Sequence, residues 1–385
     1  MLLYAANDIE IHDLLISQRQ QFTIGVLLEL GRSRNIFYAR EEERDDLIKR
    51  LSVLTYGFNQ VTELQKFNDV GSRSESSTTI RLKGEFTDTD VRAVVDEYRN
   101  EATESGAIQV ITGSPGKGKV SVDVKYTETD FSKTRLRQRR KRDANIDIEI
   151  NPDGLTVTLP ANPTAIAVSN AIRQRFEHKA NTSLPVERVD FSLLTSPAAR
   201  TRFFTELIGG LPGFELADVT SVRVKAPDAS SSENEEPGQG EEPESPDSEA
   251  QPPAASAEAS DELKEELKAL VREVALKGSS ILLSSQYKDL REGGFYIVSV
   301  RWRSKQLEPP FHLFDFWAGI DEPELGQGFK FAVKSTLIRR GGSYVKTWRN
   351  LDEPDRKALL RVLDATAIQA FRSLVTELSA GGGRQ

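Results

Sequence analysis

From Pro227 to Ser260 the chain reads PDASSSENEEPGQGEEPESPDSEAQPPAASAEAS, with ten acidic residues, no basic one and almost nothing apolar. Such a segment has too little apolar surface to offset the entropy lost on ordering, and its like charges repel one another. It reads as a disordered acidic linker, residues 227–260, that tethers the parts on either side of it. The length of 385 residues also favours more than one domain. The net charge is −8, and the ten linker acids exceed it, leaving about +2 on everything else. The folded parts are therefore slightly basic.

The linker leaves three parts. Residues 1–70 read as a helical N-terminal segment, in which Leu47, Leu51, Leu54, Phe58, Val61 and Leu64 recur at steps of three and four as one helix begun by Glu41 to Asp46. Residues 71–226 alternate strand and helix patterns and read as a central α+β domain with a mixed sheet. STTIRLKG, AIQVIT and KVSVDVKY are strands, and IDIEI-NPDG-LTVTL is a hairpin. Helices are expected near Thr87–Tyr98, Thr164–His178 and Ser196–Gly209, with VERVDFSLL and DVTSVRV closing the unit. Residues 261–385 read as a second α+β domain, an antiparallel sheet with packed helices. It opens with a helix, DELKEELKALVREVALKG, ending at Gly278. Strand-like SSILLSS, GFYIVSVRWRSK, FHLFDFWAG and FKFAVKSTLIRR follow, then a Gly341-Gly342 turn into SYVKTWRN, and a long helix from Asp352.

Bulk features narrow the chemistry. With no cysteine, disulfides, thiolate metal sites and cysteine nucleophiles are excluded. The opening MLLYAANDIE lacks a basic region, its apolar run is short, and no stretch is long enough to span a bilayer. The expectation is a soluble cytoplasmic protein with no membrane partner.

VITGSPGKGK contains Gly113, four residues, then Gly118-Lys119, the outline of a phosphate loop. Such a loop needs Ser or Thr after the lysine and a helix whose N-terminus meets the phosphates. Here Val120 follows, and Val120, Val122 and Val124 alternate with polar residues at a strand period. A hairpin loop is the expectation. Asp123-Val124-Lys125 matches the Asp/Glu-x-Lys of metal-dependent nucleases, but the preceding strand offers no second acid. His12, His178 and His312 are isolated, and no serine lies in a nucleophile elbow. Neither a catalytic residue, a metal site nor a cofactor is indicated, and a non-catalytic role is favoured.

Two basic features remain. KTRLRQRRKRD packs Lys133, Arg135, Arg137, Arg139, Arg140, Lys141 and Arg142 together, a density that attracts phosphate backbones. The competing reading pairs them with acids such as Glu128, Asp130 or Asp147. In the C-terminal sheet Arg301, Arg303 and Lys305 share a strand face opposite Tyr296, Val298, Val300 and Trp302. Lys330, Lys334 and Arg340 point away from a core of Phe329, Phe331, Val333 and Leu337. A two-residue turn would set Lys334 across from Arg349. Glu262, Glu265 and Glu266 of the preceding helix could instead meet this stripe. The sequence thus points first to a nucleic-acid partner held at these residues. A protein–protein adaptor docking through the N-terminal helices is the second reading, and a metal-dependent nuclease or other hydrolase the third.

Overall fold

A computed structural model describes residues 6–67, 75–105, 108–116, 118–226, 273–278 and 281–381. The linker 227–260 and the helix start 261–272, with Glu262, Glu265 and Glu266, lie outside the described residues. No described helix is long and apolar enough to cross a membrane. The chain divides into two compact units at Arg188/Val189.

The first unit begins with helices α1 (Asp8–Ser17), α2 (Ile24–Arg32), α3 (Arg44–Ser52) and α4 (Phe58–Lys66). Asn7 opens α1 with a capping box: its Oδ1 accepts from the Glu10 N–H at 2.8 Å, and its own N–H donates to Glu10 Oε2 at 3.0 Å. The single helix expected through Leu47–Leu64 is two, α3 and α4. Gly57 takes the N-cap of the second, its N–H held by Gln60 Oε1 at 2.9 Å. Leu14, Leu15, Phe22, Leu27, Leu47 and Leu51 form the buried core of these helices.

The rest of this unit is a sheet in the order β2-β3-β4-β5-β1, built from β1 (Ser77–Lys83), β2 (Ile108–Gly116), β3 (Lys119–Thr129), β4 (Arg139–Asn151) and β5 (Gly154–Pro160). The two-residue β6 (Val186–Glu187) pairs with β1. Every pairing here is antiparallel, a narrower arrangement than the mixed sheet expected. Helices α5 (Asp88–Ser105) and α6 (Pro163–Ala180) share a core with the alternating Val120, Val122, Val124, Ile146 and Ile148. The NPDG turn closes β4 on β5 through Gly154, whose φ is +146° and whose hypothetical Cβ would lie 2.0 Å from the Leu82 carbonyl oxygen.

The second unit takes α7 (Pro197–Gly209) and β7 (Phe214–Lys225), elements that the sequence pattern places at the end of the 71–226 domain. It adds β8 (Glu273–Lys277), α8 (Ser285–Glu292), β9 (Tyr296–Gln306), β10 (Leu313–Glu322), β11 (Gln327–Leu337), β12 (Arg339–Arg340), β13 (Ser343–Tyr344) and α9 (Glu353–Gly381). The strand order is β11-β10-β9-β7-β8, again antiparallel. One face of the sheet packs with α7 and α9: Phe203, Phe204, Trp302, Phe316, Phe331 and Phe371 are all buried. Fully burying one such ring contributes roughly 1.5–3 kcal/mol of transfer free energy, so the inward face of this sheet is strongly fixed.

Three local expectations change here. Residues 273–277 continue no helix; they are β8, with Val274 and Leu276 packed on the core and paired with Val224 and Val222. Their strand alternation outweighs the helical run before them. SSILLSS is not a strand in its described part: Ile281–Leu283 is a 3-10 turn, and the Ser284 hydroxyl accepts from the Tyr287 N–H at 3.2 Å to start α8. Lys334 does not face Arg349. The glycine turn pairs Arg339 with Tyr344 and Arg340 with Ser343, but beyond it Arg349 bridges Thr336, two residues out of the simple register.

Candidate nucleic-acid interface

The phosphate-loop outline resolves as a hairpin. β2 ends at Gly116, β3 begins at Lys119, and these two residues pair across the turn. Lys119 extends along the sheet to Glu149 at 3.2 Å. Asp123 Oδ1 accepts from the Asn145 side-chain amide. Among the described residues no three or more His, Asp or Glu side chains gather as a metal-holding set.

The basic run 133–142 is divided by the fold. Its first half is a loop that fastens the helices to the sheet of the first unit. Leu136, 1% exposed, enters the helical core. Beside it, Arg135 donates to both Glu10 oxygens at 2.6 and 3.2 Å, and Arg137 donates to Asp13 at 3.0 Å. Asp13 also accepts from the Thr134 hydroxyl at 2.6 Å. Burial alone would push the Glu10 carboxyl up. The hydrogen bonds from Arg135 and the Asn7 N–H outweigh it and hold the carboxyl below its ordinary range. Lys133 pairs with Asp130 at 3.2 Å.

The second half lies in β4. Arg142, on the core-facing side, binds Glu75 and Glu128, both at 3.0 Å. Arg140 is half-buried. Desolvation, followed by the neighbouring charges of Arg142 and Arg137, lowers its guanidinium pKa. Arg139 and Lys141 alternate outward and are exposed. Glu128 and Asp130, two of the acids named from sequence, do take basic partners. Glu10, Asp13 and Glu75 are partners that no local pattern announces, because they lie 67 to 125 residues away along the chain.

The open face of the second sheet gathers the other candidates. Strand pairing sets Arg301 opposite Trp317, Arg303 opposite Asp315 and Lys305 opposite Leu313. On the far side of β10, Lys330 stands opposite Gly319 and Ala332 opposite Trp317. A bulge between Asp315 and Phe316 lets Lys334 reach over the same indole. The bulge also changes the phase of β11, so Thr336 is buried where Leu337 was the expected core residue, and Leu337 is half-buried.

Charge on this face is partly matched. Asp315 is 1% exposed and receives Arg301 through Nε at 3.0 Å and Nη2 at 2.5 Å. That hydrogen-bonded pair holds the Arg301 proton more tightly than usual. Lys330 pairs with Asp321. Two half-buried indoles complete the face. Lys330 and Lys334 Nζ lie 5.9 and 5.5 Å from the Trp317 ring centroid, and the Arg303 guanidinium lies 4.9 Å from that of Trp348. Arg340 and Arg349 are exposed beyond it, on β12 and after β13. The indoles are the residues that charge counting overlooks. Trp317 stands in FHLFDFWAG, where strand alternation from Phe314 and Phe316 puts it outward, so the signal was present.

The fold and this face define an α+β protein with a helix-backed antiparallel sheet, whose other face carries Arg301, Arg303, Lys305, Lys330 and Lys334 among Asp315, Asp321, Glu215 and Asp218. No protein-family model matches the chain, and no curated protein sequence is significantly similar to it.

Proposed function

We propose that the protein is a non-catalytic, nucleic-acid-associated protein that holds phosphate backbones on the open sheet face of its second unit. One observation carries this reading. Arg303, Lys305 and Lys334 share a face with two indoles, where Arg301 and Lys330 are held by Asp315 and Asp321, and Asp218 and Glu215 of β7 stand opposite Arg303 and Lys305. Cations beside aromatic rings are the combination that nucleic acids recruit: lysine and arginine meet phosphate, and rings meet bases or sugars. The exposed Arg139 and Lys141 of the first unit are secondary contacts in this account. Arg135, Arg137 and Arg142 serve the fold through their carboxylate partners.

Fluorescence anisotropy with a labelled oligonucleotide, at low and moderate salt, tests the proposal. Wild type is compared with an Arg303→Ala/Lys305→Ala/Lys334→Ala variant. Salt-sensitive binding that weakens in the variant supports the reading, and no wild-type binding at low salt ends it.

The adaptor reading has its own observation. On the helical part of the first unit, Ile9, Phe37 and Val53 are 69%, 80% and 68% exposed. Under that reading they contact a protein partner, and Phe37→Ser abolishes its co-purification without altering the fold. The nuclease reading has no comparable support, since Asp123 hydrogen-bonds to Asn145 on the neighbouring strand.

A further inference from the structure

The two indoles are placed for more than electrostatic contact, a role that rests on the proposed phosphate binding by the same face. Trp317 lies along the sheet and not away from it. A Cβ on the cross-strand side at Gly319 would come within 2.8 Å of the Trp317 ring carbon Cζ2 and equally close to the Ser299 Cβ. Only a glycine at 319 leaves the indole that position, so the ring is a shelf with one side against the backbone. Lys330 and Lys334 lie over it, and Arg301 stands opposite on β9. Two residues further along β9, roughly 7 Å on at the strand rise, Arg303 sits against the second indole, Trp348. Each ring is therefore flanked by a cation.

A duplex presents phosphates outward but keeps its base faces stacked inside. An unpaired strand exposes both, and base–indole stacking tolerates any sequence because every base has a π-face. A plain polyanion surface has no use for a glycine-supported ring. We infer that Trp317 and Trp348 are stacking platforms for unpaired bases, and that the face selects single-stranded over duplex nucleic acid. The Lys334 head that lies over Trp317 in the unbound protein moves to a phosphate flanking the stacked base, while Lys330 stays with Asp321 at the edge of the site. DNA and RNA strands share this chemistry.

The test uses the full-length chain with four probes: oligothymidylate, oligouridylate, a duplex of equal length, and inorganic polyphosphate, which has no bases. Trp302 is buried in the core, so quenching of tryptophan fluorescence on binding reports Trp317 and Trp348. The expected result is quenching by the single strands, weaker binding of duplex, and no quenching by polyphosphate. Trp317→Ala and Trp348→Ala each lower single-strand affinity roughly ten-fold or more, as loss of one stacked base does, while polyphosphate binding is unchanged. Trp317→Phe recovers much of the loss. Gly319→Ala displaces the ring and weakens single-strand binding with the indole still present. Thermal unfolding of each variant separates loss of stacking from loss of fold. Equal affinity for single strand and duplex with no quenching overturns this inference and leaves the phosphate-binding reading standing. Absence of binding to all four probes at low salt overturns both. Stronger binding of one single strand than the other assigns DNA or RNA within the inference.

Discussion

Leu136 separates the two roles assigned to the basic run. Its neighbours in sequence are arginines, yet its side chain is 1% exposed among Leu14, Leu47 and their partners in the helical core. Leu136→Ala removes three carbon atoms from that core and leaves every positive charge of the run in place. Truncation of a fully buried leucine costs about 2–5 kcal/mol, from lost transfer energy and the cavity left behind. At roughly 2–4 °C per kcal/mol for a unit of this size, the unfolding midpoint falls by about 4–20 °C. Thermal unfolding followed by circular dichroism measures the fall. Hydrogen–deuterium exchange locates it: amides of α1 and α3 lose protection, and those of β9 to β11 keep theirs. Nucleic-acid affinity measured well below the midpoint stays at the wild-type value. A variant with an unshifted midpoint and weakened binding would show the opposite, that the loop is a ligand contact and not a fastening between helices and sheet.

Three further outcomes are expected from the same kinds of contact. Glu10 has a lowered folded pKa, so its stabilising contribution is complete above the ordinary value of 4.5 and is lost as pH falls through the folded value. Glu10→Gln should therefore flatten the acid side of the curve of unfolding midpoint against pH. Burial pushes the Tyr56 phenol up to about 12, against the opposing charge of Arg34. Between pH 10 and 12 the unfolded chain ionises first, so stability declines there, and Tyr56→Phe removes that decline from an alkaline denaturation series. Gly154→Ala forces a Cβ to within 2.0 Å of the Leu82 carbonyl oxygen in a left-handed turn, and a fall of several degrees in the unfolding midpoint is expected.

The sheet strands were readable because one face of each is buried, and period-two alternation survives wherever that holds, as in Val120–Val124 and Val300–Ser304, but not at the start of β9, where Tyr296, Ile297 and Val298 are all buried beside a register shift against β7. The apolar residues of α9 at helical spacing follow the same logic, with Leu360, Leu363, Ala367, Phe371 and Leu374 buried and Leu378, near the helix end, exposed. Periodicity failed where a short element turns on a cap. It carried one helix across Val53–Gly57 and missed Ser284 as the start of α8. It also failed at the bulge beside Asp315, because one extra residue reverses which side chains of β11 face inward. For the candidate site, the cations of the second sheet could be placed on one face from sequence. For the basic run of the first unit, acid partners could be named only where they were near in sequence, as with Glu128 and Asp130. Distant partners such as Glu10 for Arg135 are fixed by tertiary packing alone.

Lysine-acetylation footprinting in the presence and absence of a saturating oligonucleotide locates the face that binds it. Lys305, Lys330 and Lys334 lie on the proposed face, while Lys83, Lys133 and Lys179 belong to the first unit. Bound oligonucleotide is expected to shield the first three from the reagent and leave the second three reactive. Shielding confined to Lys133 and Lys141, or no shielding at all in a complex shown to be saturated, would contradict it.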